Sequence, residues 1–205
     1  MRRAKLGDVY AMRMRNGYKL YQWAYKVPRW GSYIRVFPGL YDEIPQNIFQ
    51  IVQAEHSYII GFDASWAYRV GLAQFIENIP IPDEYPLPQY RLHFRKHQLD
   101  DDLVVWVRPS PSNLHENINE IYSFNVAGME ELPGKYQNIK LIDSELTAPW
   151  LMFLFDYDFD LSDLKRFNPG YVLGEKLDEV VENYENYVEE LDNRYRAERQ
   201  KKKIE

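Results

Sequence analysis

The dipeptide Asn16-Gly17 stands between two runs rich in aromatic and apolar residues, and it constrains the fold more than any other short feature of the chain. A type I′ turn needs a positive φ at both central residues, which asparagine and glycine tolerate best. The pattern therefore predicts a β-hairpin from Val9 to Trp23. Alternation along its first strand places Tyr10, Met12 and Met14 on one face, which we predict to be the core face.

Other apolar and aromatic runs, bounded by turn residues, predict further strands. A helix over residues 64–72 is predicted after Asp63, whose carboxylate can cap it. The four prolines between Pro80 and Pro88 exclude a helix or a central strand, so this segment is predicted to be an extended surface strap. The predicted strands are Tyr33–Phe37, Tyr58–Phe62, Tyr90–His97, Leu103–Arg108 and Leu151–Asp160, with weaker candidates at 119–126 and 136–142.

Beyond Leu173, apolar residues recur every three or four positions, which is the stripe of an amphipathic helix. This stripe could dock on the chain's own sheet, or pair with a second chain as a short coiled coil. We therefore expect an α+β fold with a strongly bent antiparallel β-sheet core and a long C-terminal amphipathic helix. A PSPSN sequence after Arg108 suggests a β-rich module over 1–108 and an extension over 109–205, which could pack together as one domain.

Composition indicates a folded, soluble protein. Among 205 residues, 45% are hydrophobic and 16% aromatic, which is enough apolar area to offset the entropy of folding. The absence of cysteine excludes disulfides and thiolate chemistry. Neither a signal-peptide pattern nor a membrane-length apolar run is present, so we expect a cytoplasmic protein with no membrane partner.

Charge is distributed unevenly along the chain. Residues 1–36 hold nine Lys/Arg and one Asp, a local charge of +8, whereas residues 141–192 hold fourteen Asp/Glu and three Lys/Arg, a local −11. Either the two segments attract each other within one fold, or the acidic half faces a basic partner. A nucleic-acid-binding protein more often has an unopposed basic face, so we do not expect nucleic acid as a partner.

The stretch LMFLFDYDFD at 151–160 carries alternating aspartates. In a strand, Asp156, Asp158 and Asp160 would share one face, which could be solvated, bind a partner or serve as metal or catalytic carboxylates. The spacing imitates the opening of a calcium loop, but Leu161 and Phe167 occupy the positions that require Gly and Glu. His93 and His97 are interpreted as surface residues of an amphipathic strand. We expect no enzymatic activity, cofactor or metal.

Three segments resemble the immunity-26 family of bacterial polymorphic toxin systems: Leu6-Gly7-Asp8-Val9-Tyr10, the Asn16-Gly17 turn, and the FIENIPIP segment at 75–82. The resemblance spans roughly residues 5–108. It implies a compact β-rich module that binds and neutralises a cognate toxin encoded next to it, with Gly7 and Asp8 forming the strand entry. Some members are labelled phosphotriesterase-like, so the alternative is a small-molecule hydrolase built on the same module.

Many antibacterial toxins are nucleases with basic clefts, and an acidic inhibitor surface would accelerate their capture. The hypothesis is that residues 156–192 form this surface. The extra C-terminal hundred residues depart from the family, and a dimer through the C-terminal helix is an alternative to a monomer. The candidate partner-binding residues are Asp156, Asp158, Asp160, Asp163, Glu182 and Glu185.

Overall fold

The computed structural model describes residues 4–28, 31–62, 64–96, 103–109, 122–125, 140–144, 152, 154–156, 158 and 177–204. These residues form one mixed sheet with helices, which confirms the α+β class. No helix within these ranges is both long and apolar enough to cross a membrane. The elements are β1 (Asp8–Met14), β2 (Gly17–Val27), β3 (Gly31–Val36), α1 (Ile48–Gln53), β4 (Tyr58–Gly61), α2 (Ala64–Arg69), β5 (Ala73–Asn78), β6 (Tyr90–Lys96), β7 (Leu103–Pro109), β8 (Tyr122–Asn125), β9 (Leu141–Ser144) and α3 (Leu177–Ile204).

In the described part of the chain the strand order is β5-β1-β2-β3-β4-β9-β6-β7-β8. β9 runs parallel to both of its neighbours, with Ile142 aligned to Ile60 of β4 and to Leu92 of β6. The prediction of an antiparallel sheet is therefore wrong at β9, because a short apolar run carries no signal for strand direction. β9 follows the predicted seam at residue 108 and lies between two strands that precede it, so the sheet includes both predicted segments.

The hairpin is confirmed, and both faces of its strands are buried. Tyr10 and Met12 lie on the predicted core face, where Tyr10 stacks on Tyr21 with ring centroids 5.3 Å apart. The opposite face is also packed, because α1 covers it. The buried residues of that second cluster are Val9, Ala11, Leu20, Phe37, Ile48, Val52 and Ile79.

The predicted strand at Leu151–Asp160 is wrong. Met152 and Leu154–Asp156 have helical backbone, and all four side chains are buried. The sequence alternates in this stretch, but Met152, Phe155 and Asp156 are also spaced three and four residues apart, which is helical spacing. Burial of these side chains in the folded protein therefore favours the helical conformation. Phe155 contacts Phe62, with ring centroids 5.8 Å apart.

A helix, α3, covers most of the predicted C-terminal helical region. Its side chains are described most completely between Glu182 and Leu191, where Tyr184 and Leu191 are buried and Glu182, Glu185, Glu189 and Glu190 are exposed. Buried and exposed residues thus occupy different sides of this ten-residue stretch. A continuation of that pattern to the end of α3 stays a prediction.

The hairpin turn differs from the predicted type. Met14 pairs with Gly17, so Arg15 and Asn16 are the two loop residues. Among the described non-glycine residues only Asp158 has a positive φ, so Asn16 does not adopt the type I′ conformation. Gly17 is required for another reason. It has φ +140°, and a Cβ atom there would lie 2.6 Å from the carbonyl oxygen of Tyr41, whose backbone pairs with Tyr18.

We expect Gly17→Ala to lower the free energy of unfolding by about 3 kcal/mol, because the methyl group meets a backbone atom that is itself hydrogen-bonded. Gly31→Ala is the matched control: Gly31 also has a positive φ, +99°, but no atom of the described residues lies within 4 Å of the added methyl group. Urea unfolding of the two variants separates the clash from the backbone strain. Equal losses would show that the close approach of Tyr41 is unimportant.

Candidate functional site

The tip of the β1–β2 hairpin contacts the acidic half of the chain through Asp156. The Tyr184 hydroxyl donates to Oδ2 of Asp156 over 2.7 Å, and the backbone N–H of Asn16 donates to Oδ1 over 3.3 Å. Asp156 is only 3% exposed. Because a buried carboxylate needs donors, this arrangement fixes α3 and the hairpin tip relative to each other.

Asp158 forms the second contact between the two halves. Its carboxylate accepts a hydrogen bond from Lys19 Nζ, and the N–H of Gly39 lies 3.0 Å from both carboxylate oxygens. The Lys19 side chain is 0% exposed, whereas that of Asp158 is 38% exposed. Asp158 has φ +48°, a left-handed conformation that aspartate tolerates better than most residues.

Arg15 provides the third contact. Its guanidinium carbon lies 4.5 Å from the ring centroid of Tyr184, and its Nη2 donates to the carbonyl oxygen of Asn183 over 3.4 Å. These contacts support the interpretation that the oppositely charged halves attract each other within one fold. We call Arg15, Lys19, Asp156, Asp158 and Tyr184 the charge clamp.

The structure separates the candidate partner-binding residues into two groups. Asp156 and Asp158 belong to the charge clamp, and the strand face that would have aligned them with Asp160 does not form. The Asp156 carboxylate is directed at internal groups from helical backbone, and the Asp158 carboxylate from a turn. Asp160 and Asp163 lie outside the described residues. Glu182 and Glu185 are exposed on α3.

The exposed surface of α3 between residues 182 and 190 is acidic. Glu182, Glu185, Glu189 and Glu190 are all exposed there, and this stretch contains no Lys or Arg. Arg194 pairs with Glu190 one turn later. Burial of Tyr184 holds this acidic surface at a defined position on the molecule.

Two of the three segments that carry the family resemblance, residues 6–10 and 75–82, lie together. The N–H of Ile79 donates to Gly7 O over 3.0 Å, and the Asn78 side chain donates to Asp8 Oδ1 over 2.8 Å. Asp8 is fully buried and also accepts from the N–H of Lys5 over 2.8 Å. A Cβ atom at Gly7 would lie 2.7 Å from Ile79 O. The geometry at Gly7 and Asp8 agrees with a role in forming the entry to β1.

Arg35 is buried on the face of the sheet that α1 covers, and the sequence analysis did not predict it as a site residue. Arg35 is 0% exposed and donates to Gln22 Oε1 over 3.0 Å, to His56 Nδ1 over 3.3 Å, and to the carbonyl oxygens of Val52 and Ala54. The Tyr85 ring lies over its guanidinium at 4.5 Å. Burial lowers the pKa of Arg35. No pattern distinguishes this arginine from an exposed strand residue.

The proline-rich segment 80–88 is anchored to this arginine. It contains no helix or strand, as predicted, and Tyr85 contacts His56 edge-on with ring centroids 5.2 Å apart. The Tyr25 hydroxyl donates to the Tyr85 carbonyl oxygen. Burial, with the charges of Arg35 and Lys140, lowers the pKa of His56 to about 3. His56 is therefore neutral near pH 7, and its Nδ1 accepts the hydrogen bond from Arg35 Nε.

His93 is buried in β6, which corrects the expectation of a surface histidine. His97 lies outside the described residues. In the sheet register His93 is aligned with Asp143 of β9 and with Trp106 of β7. Among the described residues, no three His, Asp or Glu side chains come together as a metal site.

We expect Asp158→Asn to lower the free energy of unfolding by about 3 kcal/mol, because the amide keeps an acceptor for Gly39 N–H but removes the negative charge that faces the buried Lys19 ammonium. Glu55→Gln is the control, since it removes the Lys140–Glu55 pair, in which the side chains are 32% and 68% exposed. That change should cost less than about 1 kcal/mol. Similar losses, measured by chemical denaturation, would contradict the importance of the clamp.

His56 should make the protein sensitive to acid. Its pKa of about 3 lies below the ordinary value of 6.5, so the unfolded chain binds more protons between these pH values. The contribution of neutral His56 to the free energy of unfolding is therefore complete above pH 6.5. It is lost as pH falls toward 3, at up to about 1.4 kcal/mol per pH unit. In His56→Gln this part of the slope should disappear, while carboxylates contribute equally to both proteins. Identical slopes between pH 6 and 4 would refute the assignment.

Comparison of the chain with protein-family models found no match, and comparisons with curated proteins and with solved structures found none either. The resemblance to the immunity-26 family therefore stays a hypothesis, and the geometry described above is the basis for inferring a function.

Proposed function

We propose that the protein is an immunity protein that neutralises a bacterial toxin by binding a basic surface of that toxin through α3. The observation that carries this proposal is the exposed acidic surface of Glu182, Glu185, Glu189 and Glu190 on a helix that Tyr184 anchors to Asp156. Charged surfaces of this kind accelerate the capture of oppositely charged partners.

The charge clamp supports the proposal by its effect on preorganisation. Because Asp156 binds Tyr184 and Asn16, the acidic surface is held in place before a partner arrives. A surface that is already ordered loses less conformational entropy on binding. Asp156 and Asp158 thus support the binding surface, while the glutamates of α3 make the contact.

Two further points belong to this proposal. We infer that the amphipathic pattern of α3 continues beyond Leu191, so that the helix forms the long C-terminal element expected from the sequence.

The alternative, a small-molecule hydrolase, is supported by the register of His93 with Asp143, and the described residues add no metal-ligand group to it. The acidic surface has the stronger support.

We expect Glu182→Gln/Glu185→Gln to slow association with the toxin encoded by the neighbouring gene about three- to tenfold at 0.1 M salt, with little effect at 1 M, where charges are screened. Stopped-flow or surface plasmon resonance gives the rates. The matched control is Glu43→Gln/Glu77→Gln, which changes the net charge equally at two exposed sites outside α3.

Two outcomes would contradict the proposal. Equal slowing in both variants would mean that net charge alone matters, and unchanged association at both salt concentrations would exclude this surface. Failure of the native protein to bind or neutralise the adjacent gene product would overturn the immunity function itself.

A further inference from the structure

Charges are sorted along α3 into two halves of opposite sign. Residues 178–192 contain seven Asp/Glu and no Lys or Arg, whereas residues 193–204 contain six Lys/Arg and one Glu. The local charges are therefore −7 and +5. At about 1.5 Å per residue the helix is about 42 Å long, so the two charged halves are well separated in space.

The described contacts of α3 with the hairpin and with Asp156 involve its acidic half. Asn183 and Tyr184 bind Arg15 and Asp156, as part of the charge clamp. In the basic half, Arg194, Arg196 and Gln200 are exposed. The exposed part of the helix thus presents an acidic surface followed by a basic one.

We propose that α3 of one molecule pairs antiparallel with α3 of a second copy of this chain. An antiparallel pair related by two-fold symmetry sets each acidic half against a basic half, whereas a parallel pair would set like charges together. When the centre of the crossing lies near Leu191, Glu185 falls opposite Arg196 and Glu182 falls opposite Arg199. Both pairings occur twice because of the symmetry.

Half-buried Val188 lies near the centre of this crossing and offers apolar area beside the charged pairs. Exposed ion pairs contribute little individually and are screened by salt, so the dimer should be weak and strongly salt-dependent. This inference does not depend on the proposed toxin, because it concerns the protein alone. Glu182 and Glu185 belong to both proposed surfaces, so a toxin and a second copy would compete for them.

The test uses two charge-reversed variants of the full chain. In a homodimer, Glu182→Lys/Glu185→Lys places positive charges opposite Arg196 and Arg199, and Arg196→Glu/Arg199→Glu places negative charges opposite Glu182 and Glu185. Each variant alone should have a dimer dissociation constant at least about tenfold higher than the native protein, because attraction becomes repulsion. An equimolar mixture of the two should restore association as a heterodimer. Sedimentation velocity at 0.1 M salt measures all three samples.

Circular dichroism tests whether each variant is folded. Glu182→Gln/Glu185→Gln serves as a milder substitute if Glu182→Lys/Glu185→Lys unfolds. A native protein that stays monomeric at high protein concentration and low salt would overturn the proposal. So would a dimer that persists in both variants or at 1 M salt, or a mixture that does not associate.

Discussion

The ammonium group of Lys19 is enclosed by the fold, and the position of the acidic half depends on how that charge is compensated. A buried lysine is tolerated only when a counter-charge and hydrogen-bond acceptors accompany it. Asp158 and the carbonyl oxygen of Gly39 provide these groups. A residue of the basic hairpin thereby fixes the segment that contains Phe155 and Asp156. That segment in turn completes the aromatic face of the sheet and binds Tyr184.

Much of the fold could be predicted from the sequence, because local patterns specified it. The hairpin, the strand after Ser57, the β6–β7 pair and the strap were predicted from alternation and turn residues. The predictions were wrong where contacts with residues distant in sequence determine the local conformation. The stretch from Leu151 reads as a strand in isolation, but burial against Phe62 makes it helical. The turn prediction placed Gly17 at the centre of the loop, where a positive φ would be required. In the structure, glycine is needed there mainly because the backbone of Tyr41 leaves no room for a Cβ atom.

The candidate site shows the same division. Charge asymmetry predicted that the two halves of the chain would be complementary, but it could not distinguish internal pairing from partner binding. The structure assigns Asp156 and Asp158 to internal pairing and leaves Glu182, Glu185, Glu189 and Glu190 exposed. Arg35 and His56 could not be predicted at all, because their partners are backbone carbonyls and rings brought in from other segments.

The position of β9 has a consequence for how the protein is made. β4 and β6 are separated in the sheet by a strand that is synthesised some eighty and fifty residues later, respectively. Parallel pairings between such distant segments form slowly, because a long loop must close first. While the ribosome has yet to produce Leu141, the nascent chain holds two open strand edges that could pair with each other or with another chain. Correct assembly of the sheet must therefore wait until β9 has emerged.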